Sequence, residues 1–340
     1  GAVVSTFLLA ALASADITID NEIHTYSSLS ATTVTMTGTS ELHLTNSSSP
    51  MTGCVIHLNS PDAWLFLTNI KPSAVNTTTY RNQIRVNGAA AVLGTNIRIV
   101  QYVQGTVVIP HASNYVPLQV YSDFNYAGSS LSLGQYTYHT GSGSLGALNK
   151  NISSFKLKRG YMVTFAQNTD GTGSSRVYVA QDFDIDIPAL PRELNDSISY
   201  VCVFPWRWVG KKGSCDADPV DLNADWHYNW DINRNSTLDW EYVAIKQQPY
   251  WPGLSQNWQT RGVNHLLGFN EPDNPVEDAY KNLNPPGSTD SAVSHWPSLL
   301  ATGLRLGAPG VTDGGTSWIV EFVNKAEAAG YRIDYVPIHY

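Results

Sequence analysis

The segment Leu266-Leu267-Gly268-Phe269-Asn270-Glu271-Pro272-Asp273 has the makings of an acid–base site. An apolar run opens abruptly onto an amide, a carboxylate, a proline and a second carboxylate. Pro272 lacks a backbone donor and cannot continue a strand, so Asn270 and Glu271 fall at a strand end. A carboxyl group placed there can give a proton to a leaving oxygen or take one from water. Cleavage of a glycosidic bond uses such an acid with a second carboxylate opposite it, and Asn270 can hold a sugar hydroxyl. Upstream, Trp226, Tyr228, Asn229 and Trp230 crowd into five positions. The faces of such rings suit the CH-rich sides of pyranoses. Other acids and rings read more plainly: Asp239 and Glu241 as solvated or helix-capping, Glu277 and Asp278 as loop or first-turn residues, His265 as packed or hydrogen-bonded, and Trp318 with Phe322 as helix core.

These residues need a scaffold that brings strand ends together. From residue 204 onward, strand-like and helix-like segments alternate, the pattern of a (β/α)8 TIM barrel. The strand-like run 200–203 leads into 204–208. Further strands are expected at 226–230, 241–245, 263–269, 305–309 and 331–340, with helices near 292–302 and 317–329. In a barrel the C-terminal strand ends converge on one mouth, where the active site sits.

The 340 residues ahead of and including this region form several domains. Residues 1–15 read as the remnant of a signal peptide, with an apolar run followed by Ala13-Ser14-Ala15. Residues 16–114 hold short period-2 strands separated by polar turns, which fits a β-sandwich or, preferably, the coils of a β-solenoid. In 117–203, Tyr121, Tyr126 and Gly128 have the spacing of a folded hairpin in which two rings pack over a turn. This segment resembles the βγ-crystallin double Greek key. The resemblance implies a possible calcium site at Asn195, Asp196 and Ser199, since oxygen donors suit a hard cation; the corresponding first copy carries Lys150, whose ammonium opposes it.

Charged residues make up 14% of the chain and the formal net charge is −8, which leaves no basic stripe for nucleic acid but suits a neutral polymer. Sequons at Asn46, Asn76, Asn151, Asn195 and Asn235 agree with a secreted, extracellular or cell-wall protein, free of the membrane after signal cleavage. In that compartment Cys202 and Cys215 are the expected disulfide, with Cys54 left over. No cysteine or histidine spacing fits zinc, and no cofactor is expected for catalysis.

Residues 204–340 resemble glycoside hydrolase family 128, the retaining endo-β-1,3-glucanases. The resemblance rests on 226–230, on Leu266 to Asp273, on Leu306-Gly307-Ala308-Pro309 and on 334–340. It implies that Glu271 is the general acid/base, with a raised pKa, and Asn270 its neighbour. It further implies that Trp226, Tyr228, Asn229, Trp230, His339 and Tyr340 contact β-1,3-glucan or a related polysaccharide. The family's nucleophile is a glutamate at the end of strand seven, in a Trp-x-Thr-Glu-like segment that these residues do not contain. A barrel takes ~250 residues, so the barrel is expected to be incomplete at Tyr340 and inactive as it stands. The rival expectation is a noncatalytic extracellular polysaccharide-binding or cell-wall protein.

Overall fold

The computed structural model describes residues 16–112, 114–135 and 137–339. The expected signal peptide and Tyr340 lie outside the described residues. Strands Ile17–Asp20, Thr33–Thr37, Val55–Leu58 and Ile84–Val86 stack in parallel, and Ile23–Tyr26, Ser40–Leu44 and Ala63–Leu67 form a second parallel stack. Register puts Ile19, Met36, Leu58 and Val86 in one column, and all four are buried. Thr18, Thr35, His57 and Arg85 form the neighbouring outward column. Period-2 alternation thus fills a core from coils stacked in parallel, the layout of a solenoid rather than of an antiparallel sandwich. At one corner Gly38 has φ +60°, and a Cβ there would fall 2.3 Å from Asn21 Oδ1, the acceptor of the Thr39 N–H. The hairpin Ile97–Val103 with Gly105–Pro110 closes the second stack against Ala63–Leu67.

The next unit has two four-stranded antiparallel sheets. Strand Tyr138–Thr140, from the first half, lies beside Tyr200–Pro205 in the second sheet, and Ile185–Ile187, from the second half, lies beside Ser154–Leu157 in the first. Each half therefore lends a strand to the other sheet, an interlocked pair of Greek keys. Tyr121 and Tyr126 meet edge to face at 5.8 Å over the turn, where Gly128 has φ +74°.

The run 200–203 does not open a barrel. Strand Tyr200–Pro205 pairs antiparallel with Tyr161–Ala166. Val201 and Val203 face the Greek-key core, while Tyr200, Cys202 and Phe204 face a second core shared with the rest of the chain. A strand buried on both faces reads as a continuous apolar run, like a barrel strand.

The remaining strands form a parallel arc. Gly213–Cys215, Trp226–Tyr228, Glu241–Tyr242 with Ala244–Ile245, His265–Leu267 and Arg305–Leu306 are neighbours in that order. Val243 N–H donates to His227 O and Lys246 N–H to Leu267 O, so 241–245 acts as one strand between two neighbours. Tyr335 bridges to Gly307 at the edge. Among the described residues the arc does not close, and its first strands are joined by loops rather than helices. Helices appear only later, where Pro297 divides the expected 292–302 helix into Thr289–His295 and Pro297–Leu300, followed by Thr316–Ala328. Trp318 and Phe322 stack at 5.6 Å on the last of these.

Phe66 and Val107 of the solenoid, Met162 of the Greek keys and Leu266 of the arc belong to one buried cluster. Tyr102–Val103 also pairs with Trp208–Val209, and Thr164 Oγ1 donates to Gly303 O at 2.6 Å. The three regions thus share one core, to which Phe204 alone contributes ~1.5–3 kcal/mol of burial.

Cys202 and Cys215 are both free. The first points into the shared core, where burial pushes its thiol well above the ordinary range, and the second is exposed on the arc beside Tyr228. The expected disulfide is corrected by that separation of environments. No helix among the described residues is long and apolar enough to cross a membrane.

Candidate active site

Glu271 follows the strand His265–Leu267 at its C-terminal side, as the apolar run and Pro272 imply. Asn270 bridges in parallel to Gly310, and Glu271 N–H donates to Gly310 O at 2.7 Å. The residue holds φ +45°, a conformation that non-glycine residues adopt at some cost and that recurs at functional sites. Its carboxylate is fixed from both ends. Asn274 Nδ2 donates to Oε2 at 2.9 Å, and His339 Nδ1 lies 3.0 Å from Oε1. Gly310 makes the histidine's approach possible, since a Cβ there would meet His339 Nε2 at 2.8 Å.

Tyr228, Trp230, Gln247, Asn270, Glu271, Glu277 and His339 line an open cavity of about 640 Å³. A second hollow of about 350 Å³ shares Tyr228, Trp230, Asn270 and His339, and adds Trp226 over a floor of Ile245, Leu267 and Phe269. Trp226 and Tyr228 lie nearly parallel at 6.5 Å, and Tyr228 meets Trp230 edge-on at 5.2 Å. Aromatic faces, amides and one fixed carboxylate thus share one concave surface.

The site differs from the sequence expectation in several residues. Asn229 turns away: Tyr242 OH donates to its Oδ1 at 2.6 Å and its Nδ2 donates to Asn233 at 2.8 Å, so the amide is spent inside the protein. The pKa of Glu271 is lowered, not raised, because the Asn274 amide and His339 favour the ionised form more than partial burial disfavours it. Glu277 enters the cavity wall, and Asn270 Nδ2 reaches its carboxylate at 3.4 Å. Asp273 accepts the backbone N–H of Thr312 at 3.2 Å and also its hydroxyl, tying the 270–273 turn to the loop after Arg305–Leu306. The roles of Asn274 and Glu277 had one local signal: each lies on the turn that Pro272 begins.

Glu241 is neither solvated nor a cap. It is buried on the inner face of the arc, 3.0 Å from His265 Nδ1, while Arg305 donates to His265 Nε2 at 3.2 Å. Asp239 accepts Ser73 N–H of the solenoid at 2.7 Å. A separate cleft of about 670 Å³ carries Glu193 and Asp334, but these are paired with Arg176 and Arg332.

In the Greek-key unit Asp196 accepts Ser153 Oγ at 3.1 Å and Asn195 Nδ2 at 2.9 Å. Asn195 Oδ1 and Ser199 Oγ are buried without a hydrogen-bond partner among the described residues. Unpartnered oxygens beside a carboxylate are the donor chemistry a calcium ion takes. No cluster of three or more His, Cys, Asp or Glu fit for a metal occurs among the described residues.

Residues 206–340 match the family model of the glycosyl hydrolase catalytic core. Among solved structures this segment is similar to a family 128 (subgroup I) endo-β-1,3-glucanase from Amycolatopsis mediterranei in complex with laminarihexaose, at 31% identity and TM-score 0.32, over 38% of this chain and 58% of that one. The laminaritriose complex of the same enzyme gives 31% identity and TM-score 0.31 over the same shares. A βγ-crystallin domain from Flavobacterium johnsoniae matches at 31% identity and TM-score 0.23, over 26% of this chain and 93% of that one. No curated protein matches the chain. The chain spans 58% of the length of the glucanase it matches. Within the matched segment, Glu271 and the rings of Tyr228 and Trp230 line the same open cavity.

Proposed function

We propose that the protein is a secreted retaining glycoside hydrolase that cleaves β-1,3-glucan or a related polysaccharide. The observation that carries this reading is Glu271, held between Asn274 and His339 in a cavity walled by Tyr228 and Trp230. Glu271 protonates the glycosidic oxygen while a second carboxylate attacks the anomeric carbon; the ionised Glu271 then takes a proton from water as the glycosyl–enzyme bond is hydrolysed. Retention calls for the two carboxyl groups at about 5–5.5 Å. Glu277 arises from the same turn as Glu271, lines the same cavity and accepts from Asn270 Nδ2, and it is not assigned as the attacking carboxylate.

The test is hydrolysis of laminarihexaose by the protein, with the anomer of the first product followed by NMR. The Glu271→Gln variant should bind the hexasaccharide and lose nearly all turnover; undiminished hydrolysis would remove Glu271 from the mechanism. Binding without hydrolysis by any form would select a noncatalytic polysaccharide-binding role. Secretion is supported by three exposed sequon asparagines, Asn46, Asn151 and Asn235, and intact-mass analysis of the exported protein before and after deglycosylation checks it. A calcium ion held by Asn195, Asp196 and Ser199 should raise the melting temperature by mass action on the folded state; no shift at millimolar calcium would discard it.

A further inference from the structure

A groove of about 430 Å³ lies between the solenoid and the arc, at the opposite strand ends from Glu271. Its arc side comes from 236–238, which leads into Glu241–Tyr242, and from 259–262, which leads into His265–Leu267, whereas Gln247, Asn270 and Glu271 follow strands. Arg98, Arg207 and Arg261 line it, and no acidic residue does. That is unusual placement in a chain with a net charge of −8.

None of the three guanidinium groups has a carboxylate at salt-bridge distance among the described residues. Arg207 donates to the carbonyls of Trp240, Thr237 and Leu238, Arg98 to those of Gly160 and Trp206, and Arg261 to Asn235 Oδ1 and the Arg234 carbonyl. Carbonyls orient these cations, and Arg98 lies over the Tyr161 ring at 4.7 Å and Arg261 over the Trp258 ring at 5.5 Å, but none of these partners carries a full negative charge. The nearby acids are committed elsewhere, Glu241 to His265 and Asp239 to Ser73 N–H. Burial lowers the Arg207 pKa, the more distant charges of Glu241 and Asp239 partly oppose that shift, and Arg98 adds to it. Gln259, also in the groove and 1% exposed, leaves its Oε1 without a donor. A half-buried cation cluster without a paired carboxylate and a buried acceptor without a donor are both costly.

We infer that this groove binds an acidic sugar, its oxyanion against Arg98, Arg207 and Arg261 and a hydroxyl donating to Gln259. A carboxylate or phosphate alone supplies the negative charge but no donor for the glutamine; a neutral sugar supplies the donor but no charge. The site is separate from the Glu271 cavity and stands or falls without it.

The experiment titrates the 340-residue protein with glucuronate, inorganic phosphate and glucose, following melting temperature and amide NMR shifts. Glucuronate should give a saturable shift at amides of 236–238 and 259–262, with glucose and phosphate at least tenfold weaker. The Arg98→Gln/Arg261→Gln variant should lose glucuronate binding at least tenfold while keeping the native amide spectrum. Because Arg207 supports three carbonyls, Gln259→Leu serves as the second probe and should weaken glucuronate but not phosphate. Phosphate binding as tightly as glucuronate, equal binding of glucose, or glucuronate binding unchanged in both variants would each overturn the assignment.

Discussion

Two glutamates of the arc face a histidine with the same geometry and different surroundings. Glu241 Oε1 and His265 Nδ1 are 3.0 Å apart, as are Glu271 Oε1 and His339 Nδ1. The side chains of the first pair are 1% and 14% exposed, those of the second 24% and 38%. In the first, Arg305 donates to His265 Nε2, so the ring proton sits on Nδ1 and is donated to Glu241. The imidazole relays between two fixed charges on the inner face of the arc. In the second, the carboxylate faces an open cavity beside Tyr228 and Trp230. A glutamate–histidine contact is therefore no signature of function by itself; access for a ligand separates the open pair from the buried one.

The largest effect should come from breaking the buried pair. Glu241→Ala leaves His265 and Arg305 without their anion, and removal of one member of a buried charged set costs about 3–5 kcal/mol. Denaturant unfolding should show that loss, whereas Glu271→Gln, at the rim, should stay within about 1 kcal/mol of the parent. A comparable loss in both variants would abolish the distinction between them.

Sequence exposed one member of this comparison and hid the other. Glu271 was legible because its signal is local: an apolar strand, then Asn270, then Pro272 to stop it. Glu241 read as solvated because the partner that buries it, His265, arrives only when two arc strands align. Asn229 sits among pocket aromatics in the sequence, yet Tyr242 and Asn233 claim its amide. The Cys202–Cys215 expectation failed for the same reason, since nearness along the chain placed one thiol in a core and the other at the surface. The crystallin-like turn was legible through Tyr121, Tyr126 and Gly128, whose contacts are short-range. The alternation of inward residues in 17–86 announced strands, but only parallel register distinguished stacked coils from a sandwich. The boundary at 203 was least legible, because Tyr200–Pro205 serves two cores at once.

A smaller effect should follow from untying the turn that carries Glu271. Asp273 receives two donors from Thr312, and a part-buried charge-assisted pair of this kind is worth about 1–3 kcal/mol. Asp273→Ala should lose that much stability and weaken laminarihexaose binding together, since Thr312 lies two residues beyond the Gly310 that admits His339. Asp273→Asn, which keeps one acceptor, should recover part of both. Lost stability with unchanged affinity would show that the tie supports the fold alone.

The finest test concerns the proton on Glu271. Asn274 is the larger cause of its lowered pKa and His339 the smaller, with partial burial acting the other way. Each donor stabilises the carboxylate more than the carboxylic acid, so deleting either must move the pKa upward and enlarge the protonated fraction at any given pH. In carboxyl-carbon NMR titrations, Asn274→Ala should therefore raise the Glu271 midpoint more than His339→Ala. For catalysis the sign is equally definite: the resting site favours the base form, and the acid form needed for bond cleavage gains ground as pH falls or as another negative charge approaches. A second carboxylate brought opposite Glu271 should raise its midpoint. An unchanged or lower midpoint in the Asn274→Ala variant would mean that its amide does not hold the carboxylate in solution, and that the rim pair is poised by His339 alone.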